Sequence, residues 1–332
     1  MEANTKQEQT QEQHTALKRT FIIGDEWLYY KFYTGPKTAD LILTEMIKPI
    51  TEQLLANRLI DYWFFIRYAD PKLHTRVRFH IPDAKNMTPV ILAVRSSAAW
   101  FIQHNLLAKI QVDTYEREVE RYGIHSMDLA EKIFFFDSKM IVDMLSLIEG
   151  DEGERIRWLF ALRAVESMLE DFQFDMQQRF DQVTMLRENF GREFNMNRGL
   201  KDQMEKKFRA NRPQINELMD RSNDEVSEMY PLFQLLTQKS AAVKPFVKEI
   251  LDLNQNNQLQ VPLNDLLASY SHMMINRLFK SKQRLHELVV YDFLHRYYKS
   301  EIARQKYAKI NIEKKKKKEE EKKKKKEKEK KE

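Results

Sequence analysis

The chain has no cysteine, 7 glycines and 9 prolines among 332 residues, and each shortage removes a class of function. Without cysteine there is no disulfide framework, no thiolate zinc site and no cysteine nucleophile. The glycines stand at 24, 35, 123, 150, 153, 191 and 199, in neither the G-x-G-x-x-G nor the G-x-x-x-x-G-K-[ST] spacing, so the common phosphate-cradling loops are excluded. There is no G-x-S-x-G elbow, and His286-Glu-Leu-Val-Val lacks the second histidine of H-E-x-x-H. No metal and no cofactor is expected. No apolar run approaches the roughly 20 residues of a membrane-spanning helix, and Met1 to Lys18, rich in Gln, Glu and Thr, has no apolar centre. The chain reads as soluble and cytoplasmic, with residues 1–18 a disordered tail.

Charge is abundant but unevenly placed. The net charge is +6, and the segment from Glu313 to Glu332 holds 13 Lys and 7 Glu, which accounts for all of it. The body is neutral, so the basic balance is no footprint of nucleic acid on the body. A segment of Lys and Glu alone buries no apolar surface, and residues 313–332 read as a frayed helix or a disordered, solvated tail. Contact with RNA or an anionic surface is the alternative. Hydrophobic residues make up 42%, enough for a substantial core.

Periodicity divides the body. Trp27 to Tyr33 is aromatic and strand-like; Asp40 to Asn57 carries Leu41, Ile42, Met46, Ile47, Ile50, Leu54 and Leu55 at helical spacing; Ile60 to Tyr68 is again strand-like. After the turn Asp70-Pro71-Lys72, His74 to Ile81 alternates, with Thr75, Val77, Phe79 and Ile81 on one face and His74, Arg76, Arg78 and His80 on the other. A helix with Pro89 in its first turn runs to about His104, and Lys109 to Tyr115 alternates once more. The order β-α-β-β-α-β predicts a ferredoxin-like sheet half over residues 19–126.

From residue 127 to 312 the pattern is helical: Leu129–Phe136, Ser138–Ile148, Glu154–Glu188, Gly199–Ala210, Val226–Gln238, Leu263–Phe279 and Lys282 to about Ile312. The polar stretch 188–224 predicts loops or changes of direction around its short helix. The fold class is α+β, a ferredoxin-like sheet half followed by a mostly helical half.

Three constellations carry possible chemistry. Arg76 and Arg78 lie two apart on one strand face, about 7 Å along the chain, a spacing that grips a carboxylate or a polarised carbonyl. A solvated sheet face with surface ion pairs is the plain alternative. In Thr114 to Gly123, Arg117 and Arg121 lie four apart among Glu116, Glu118 and Glu120. They form an ion-paired surface turn, or Arg117 projects into the pocket of Arg76 and Arg78. His272 and Asn276 lie one helical turn apart; His272 is a satisfied core residue or a proton-transfer group oriented by Asn276.

These segments resemble a known family. Trp27-Leu-Tyr-Tyr-Lys-Phe-Tyr-Thr-Gly, the hairpin Phe64-Phe-Ile-Arg-Tyr-Ala-Asp-Pro with His74-Thr-Arg-Val-Arg-Phe, Thr114-Tyr-Glu-Arg-Glu-Val-Glu-Arg-Tyr-Gly and Ser271-His-Met with Asn276-Arg are similar to the thiopeptide-type bacteriocin biosynthesis domain. The likeness covers residues 19 to 300. This is the glutamate-eliminating part of class I lantibiotic dehydratases, and it also occurs as a separate protein. The resemblance implies a split dehydratase: a separate large subunit esterifies Ser or Thr of a precursor peptide with glutamate from glutamyl-tRNA. This chain would then remove glutamate to leave dehydroalanine or dehydrobutyrine. A cyclase is a further expected partner, and no direct contact with nucleic acid is required.

By the same resemblance Arg78, Arg117 and His272 are the catalytic residues, with Arg76, Arg67, Arg121 and Asn276 on the substrate. The chain departs from the motifs at Ile124 and Lys280, where glycine is frequent, which affects loop geometry. The scaffold is also similar to the pyridine synthases that join two dehydroalanines in a formal [4+2] cycloaddition with loss of the leader. A third reading is a non-catalytic peptide-binding subunit, favoured if Arg78, Arg117 and His272 fail to converge.

Overall fold

The computed structural model describes residues 17–329; of the expected N-terminal tail, residues 1–16 lie outside the described residues. The sheet half runs β1 (Thr20–Phe21), β2 (Trp27–Tyr33), α1 (Pro36–Ile42), a π-helical turn Leu43–Ile47, α2 (Lys48–Ala56), β3 (Tyr62–Tyr68), β4 (His74–His80), α3 (Met87–Gln103), β5 (Lys109–Asp113), β6 (Tyr115–Glu116) and α4 (Val119–Tyr122). Four strands form one antiparallel sheet in the order β3-β4-β2-β5, and β1 pairs with β6 in a short ribbon. Within this sheet the third strand in sequence, β4, lies beside the first, β2, which is the split β-α-β arrangement predicted from the alternating periods.

Strand alternation sorts the side chains. Leu28, Tyr30 and Phe32 of β2 stand opposite Phe79, Val77 and Thr75 of β4. With Trp63 and Phe65 of β3 they form one core with Ile42, Met46, Ile50, Val90, Val94 and Ala98 of the covering helices. The opposite face carries Trp27, Tyr29 and Lys31 beside His80, Arg78 and Arg76. That basic face is not a solvated one: His74 is 3% exposed and Arg78 is 7% exposed.

The covering comes from the helical half: α5 (Met127–Leu145), α6 (Gly150–Asp171), α7 (Met176–Glu193), α8 (Arg198–Met219), α9 (Tyr230–Gln255), α10 (Leu263–Leu278) and α11 (Gln283–Glu329). On α5, the Phe134 ring packs 5.4 Å from Phe64, and Ser138 accepts a hydrogen bond from the Phe65 N–H. The two predicted segments 129–136 and 138–148 are this single helix. The predicted 154–188 helix is two, broken where Gln173 takes φ 62° and Asp175 caps α7 through a reciprocal capping box with Gln178.

The polar stretch 188–224 is a correction of a different kind. α8 runs 22 residues through Pro213, well past the predicted end at Ala210. Met204, Phe208, Ile215 and Leu218 make a buried stripe at helical spacing, and their burial outweighs the missing proline N–H. The Lys/Glu segment continues α11 as helix to Glu329.

Candidate functional site

A cleft of about 770 Å³ opens on the basic face of β2 and β4, walled by the β1 and β6 ribbon. Cross-strand register builds its floor: Tyr29 of β2 and Phe64 of β3 flank Arg78 of β4. The Arg78 guanidinium lies 4.5 Å from the Tyr29 ring centre, 5.1 Å from Phe64 and 4.7 Å from Tyr115. It has no carboxylate within 4 Å among the described residues, and its Nε has no hydrogen-bond partner. Burial lowers its pKa from the ordinary arginine value.

The other buried arginines differ. Arg67 and Arg157 share Asp40, Arg163 meets Asp224, Arg277 meets Asp137, and Arg117 meets Glu131. A buried cation held by aromatic faces is costly unless an anion joins it, so the surroundings of Arg78 suit it to seat an anion.

Arg76 and Lys31 extend the cationic floor. Arg76 stacks 3.5 Å over Tyr68 and donates through Nε to His74 at 3.1 Å, while Lys31 pairs with Asp113. Glu116, Glu118 and Glu120 form an acidic rim. Arg117 lines the same cleft, but its fork is committed: Nε and Nη2 donate to Glu131 at 2.8 and 2.6 Å, and Nη2 also reaches Asp128 at 2.6 Å. Its Nη1 donates to the Lys18 carbonyl at 3.1 Å. Burial pulls the Arg117 pKa down, and the bonds to Glu131 more than reverse this, raising it. Burial raises the pKa of Glu131, with Arg117 opposing.

The remaining expected site residues stand elsewhere. His272 of α10 is not among the residues lining the cleft; its Nδ1 lies 2.7 Å from Glu287 of α11, which is fully buried, and its side chain is 28% exposed. Burial raises the Glu287 pKa, with His272 opposing. Asn276 does not orient His272. Its amide accepts from the Arg67 N–H at 2.9 Å and donates to the Arg67 carbonyl at 3.0 Å, imitating a strand on the free edge of β3. Arg67 itself points into the interior, donating to Asp40 at 2.6 Å and to the Arg277 carbonyl at 2.8 Å. Arg121 pairs at 3.2 Å with the exposed Glu118.

The cleft therefore gathers Arg76, Arg78 and Arg117, and leaves out His272, Arg67, Asn276 and Arg121. Sequence reading missed Lys31, Tyr29 and Glu287. The period of β2 puts Tyr29 and Lys31 on the face of the arginines, so that signal was present. Nothing in the spacing pointed to Glu287, which lies 15 residues after His272 on another helix.

The sequence profile described as lantibiotic biosynthesis dehydratase, C-terminal part, matches residues 27–298. The chain belongs to this family. The resemblance read from its motifs thus holds at family level. It is similar to the subtilin biosynthesis protein SpaB of Bacillus subtilis, 23% identical over 295 residues, 86% of this chain and 26% of SpaB. Among solved structures it resembles the tRNA-dependent lantibiotic dehydratase MibB of Microbispora sp. 107891, with TM-score 0.67 and 19% identity over 86% of this chain and 29% of MibB. It also resembles TbtD, the pyridine synthase from thiomuracin biosynthesis, with TM-score 0.59 and 12% identity over 82% of this chain and 99% of TbtD. At such identities both structures speak for the fold. The chain spans just over a quarter of the length of SpaB and of MibB.

Among the described residues no helix is long and apolar enough to cross a membrane.

Proposed function

We propose that this lantibiotic dehydratase family member removes glutamate from glutamylated Ser or Thr of a precursor peptide, leaving dehydroalanine or dehydrobutyrine. The observation that carries this reading is Arg78, a buried guanidinium without a carboxylate partner among the described residues, at the floor of an open cleft. Glutamate esterified through its α-carboxyl keeps a free side-chain carboxylate and an ammonium. Arg76 and Lys31 suit the first, the rim of Glu116, Glu118 and Glu120 suits the second, and Arg78 is left for the α-carboxylate that departs.

In the reaction a base takes the α-proton of the esterified residue, its electron pair becomes the Cα=Cβ bond, and the Cβ–O bond breaks. Glutamate leaves as a carboxylate, whose developing charge Arg78 stabilises. The change is redox-neutral. The family resemblance gives His272 as the proton carrier; it stands outside the cleft lining, so this role requires the bound peptide to run from the cleft to α10, where Glu287 accepts the Nδ1–H and leaves Nε2 as the base. Arg117 holds the cleft wall through Glu131. The proposed partners are the precursor peptide, a separate large tRNA-dependent glutamylating subunit and a cyclase.

Two observations favour other readings. The position of His272 outside the cleft favours a peptide-binding subunit without chemistry. The match to TbtD over nearly its whole length favours the [4+2] cycloaddition of two dehydroalanines. Mass spectrometry separates them. Incubated with a leader-bearing peptide carrying one glutamylated Ser, the protein alone should release glutamic acid and leave dehydroalanine. An untouched ester refutes elimination, and turnover of a bis-dehydroalanine peptide would then establish the cycloaddition. Arg78→Ala should slow glutamate release about a hundredfold or more; release at the parent rate removes Arg78 from the mechanism.

A further inference from the structure

The edge of the sheet next to the cleft carries a second surface. β5 pairs with β2 on one side, and its other edge has no partner strand among the described residues. Between this edge and α3 runs a groove of about 420 Å³, walled by Ile91, Val94, Ala98 and Ile102 of α3 and by Ile110 of β5, over Tyr30. Leu92, Trp100, Ile102 and Val112 in this layer are 53%, 52%, 41% and 37% exposed. Proteins usually blunt a free strand edge with charge or proline and seldom leave large apolar side chains beside it.

The charge of this layer is mostly positive. Asp83 pairs with Lys85 at 2.6 Å and Asp113, at the end of β5, pairs with Lys31; between these two aspartates there is no acidic residue, whereas Arg95 and Lys109 are cationic. Arg95 lines the groove, is exposed and has no ion pair among the described residues. An open edge accepts an extended backbone, the groove accepts every second side chain, and carboxylates are favoured by Arg95 at the groove and by Lys109 on the other face of β5. The five residues of β5 offer about 17 Å of edge. That edge ends at Asp113 and Thr114, both in the cleft wall.

Resting on the reading that the substrate is a precursor peptide, we propose that a segment of that peptide, apolar residues alternating with Asp or Glu, adds to β5 as an extra strand. Strand addition there tethers the peptide while its neighbouring residues enter the cleft. The binding site and the chemical site are then separate.

The test is fluorescence anisotropy of the full chain with a labelled, unmodified decapeptide alternating Leu and Glu. Saturable binding tighter than about 1 mM is expected. Weakening of about tenfold is expected from N-methylation of alternate peptide amides, from Lys in place of Glu in the peptide, and from Arg95→Glu in the protein. Absence of binding, or affinity indifferent to N-methylation or to Arg95→Glu, overturns the proposal. So does a dimer in sedimentation that Arg95→Glu dissolves, since the occupant is then a second copy. Because the probe carries no ester, loss of elimination with intact binding refutes only the chemistry, and loss of binding with intact elimination refutes only the tether.

Discussion

Replacing Arg117 tests whether this arginine works on substrate or on the fold. Arg117→Ala removes two bonds to Glu131, one to Asp128 and one to the Lys18 carbonyl. Glu131 is 0% exposed and keeps only the Tyr115 hydroxyl, at 2.7 Å. A buried carboxylate stripped of its cation costs about 3–5 kcal/mol, while the half-exposed Asp128 adds less than about 1 kcal/mol. Against a total stability of about 5–15 kcal/mol, urea unfolding followed by circular dichroism should show a large drop in midpoint.

The deficit should also narrow on acidification. The pKa of Glu131 is already raised by burial, and without Arg117 it rises further. A group whose folded pKa lies above its unfolded value supports the fold below the unfolded value and loses that support as pH rises. The double variant Arg117→Met with Glu131→Leu leaves no buried charge and should recover most of the loss, short by about 1 kcal/mol for the Tyr115 hydroxyl. Glutamate release by that refolded double variant then reports directly on contact with substrate. An Arg117→Ala protein within about 1 kcal/mol of the parent, or a double variant no more stable than the single, would refute the reasoning.

Two further outcomes are expected. Glu166 is buried beside Glu170, with Arg179 3.5 Å away and Arg163 and Arg221 near; burial first and then Glu170 push its pKa up to about 7. Its contribution is present below the unfolded carboxylate range and is lost as pH rises through about 7. Denaturant titrations should therefore show a stability decline of about 3 kcal/mol between pH ~5 and ~8 that Glu166→Gln abolishes; an unchanged slope in that variant would assign it elsewhere. Asn276→Ala strips two backbone groups of Arg67 of their partners and should lower stability by about 2 kcal/mol or more in calorimetry, whereas a neutral result would mean that water replaces the amide.

How far the site was legible varies residue by residue. Arg76 and Arg78 could be placed on one strand face because alternation along a strand is geometric, and the register confirms it. Asn276 was misplaced because helical spacing reports which residues share a face and not what that face meets. Its amide meets the free edge of β3, more than 200 residues away in sequence. The end of α8 was missed because a local polar count outweighed four buried positions whose partners lie on other helices.

The sequence by itself determined the order of strands and helices in the sheet half, the basic strand face, the family and the location of the excess charge. The family rests on the resemblance of its motifs, and the others follow from local periodicity or composition, which act over a few residues. Only the tertiary structure decided which arginine stands free. Arg67, Arg78 and Arg117 are indistinguishable as residue types, and their difference is that Asp40 and Glu131 fold against two of them while aromatic rings fold against the third. Electrostatic environment is a property of side chains brought together across the chain, and spacing along the chain does not contain it.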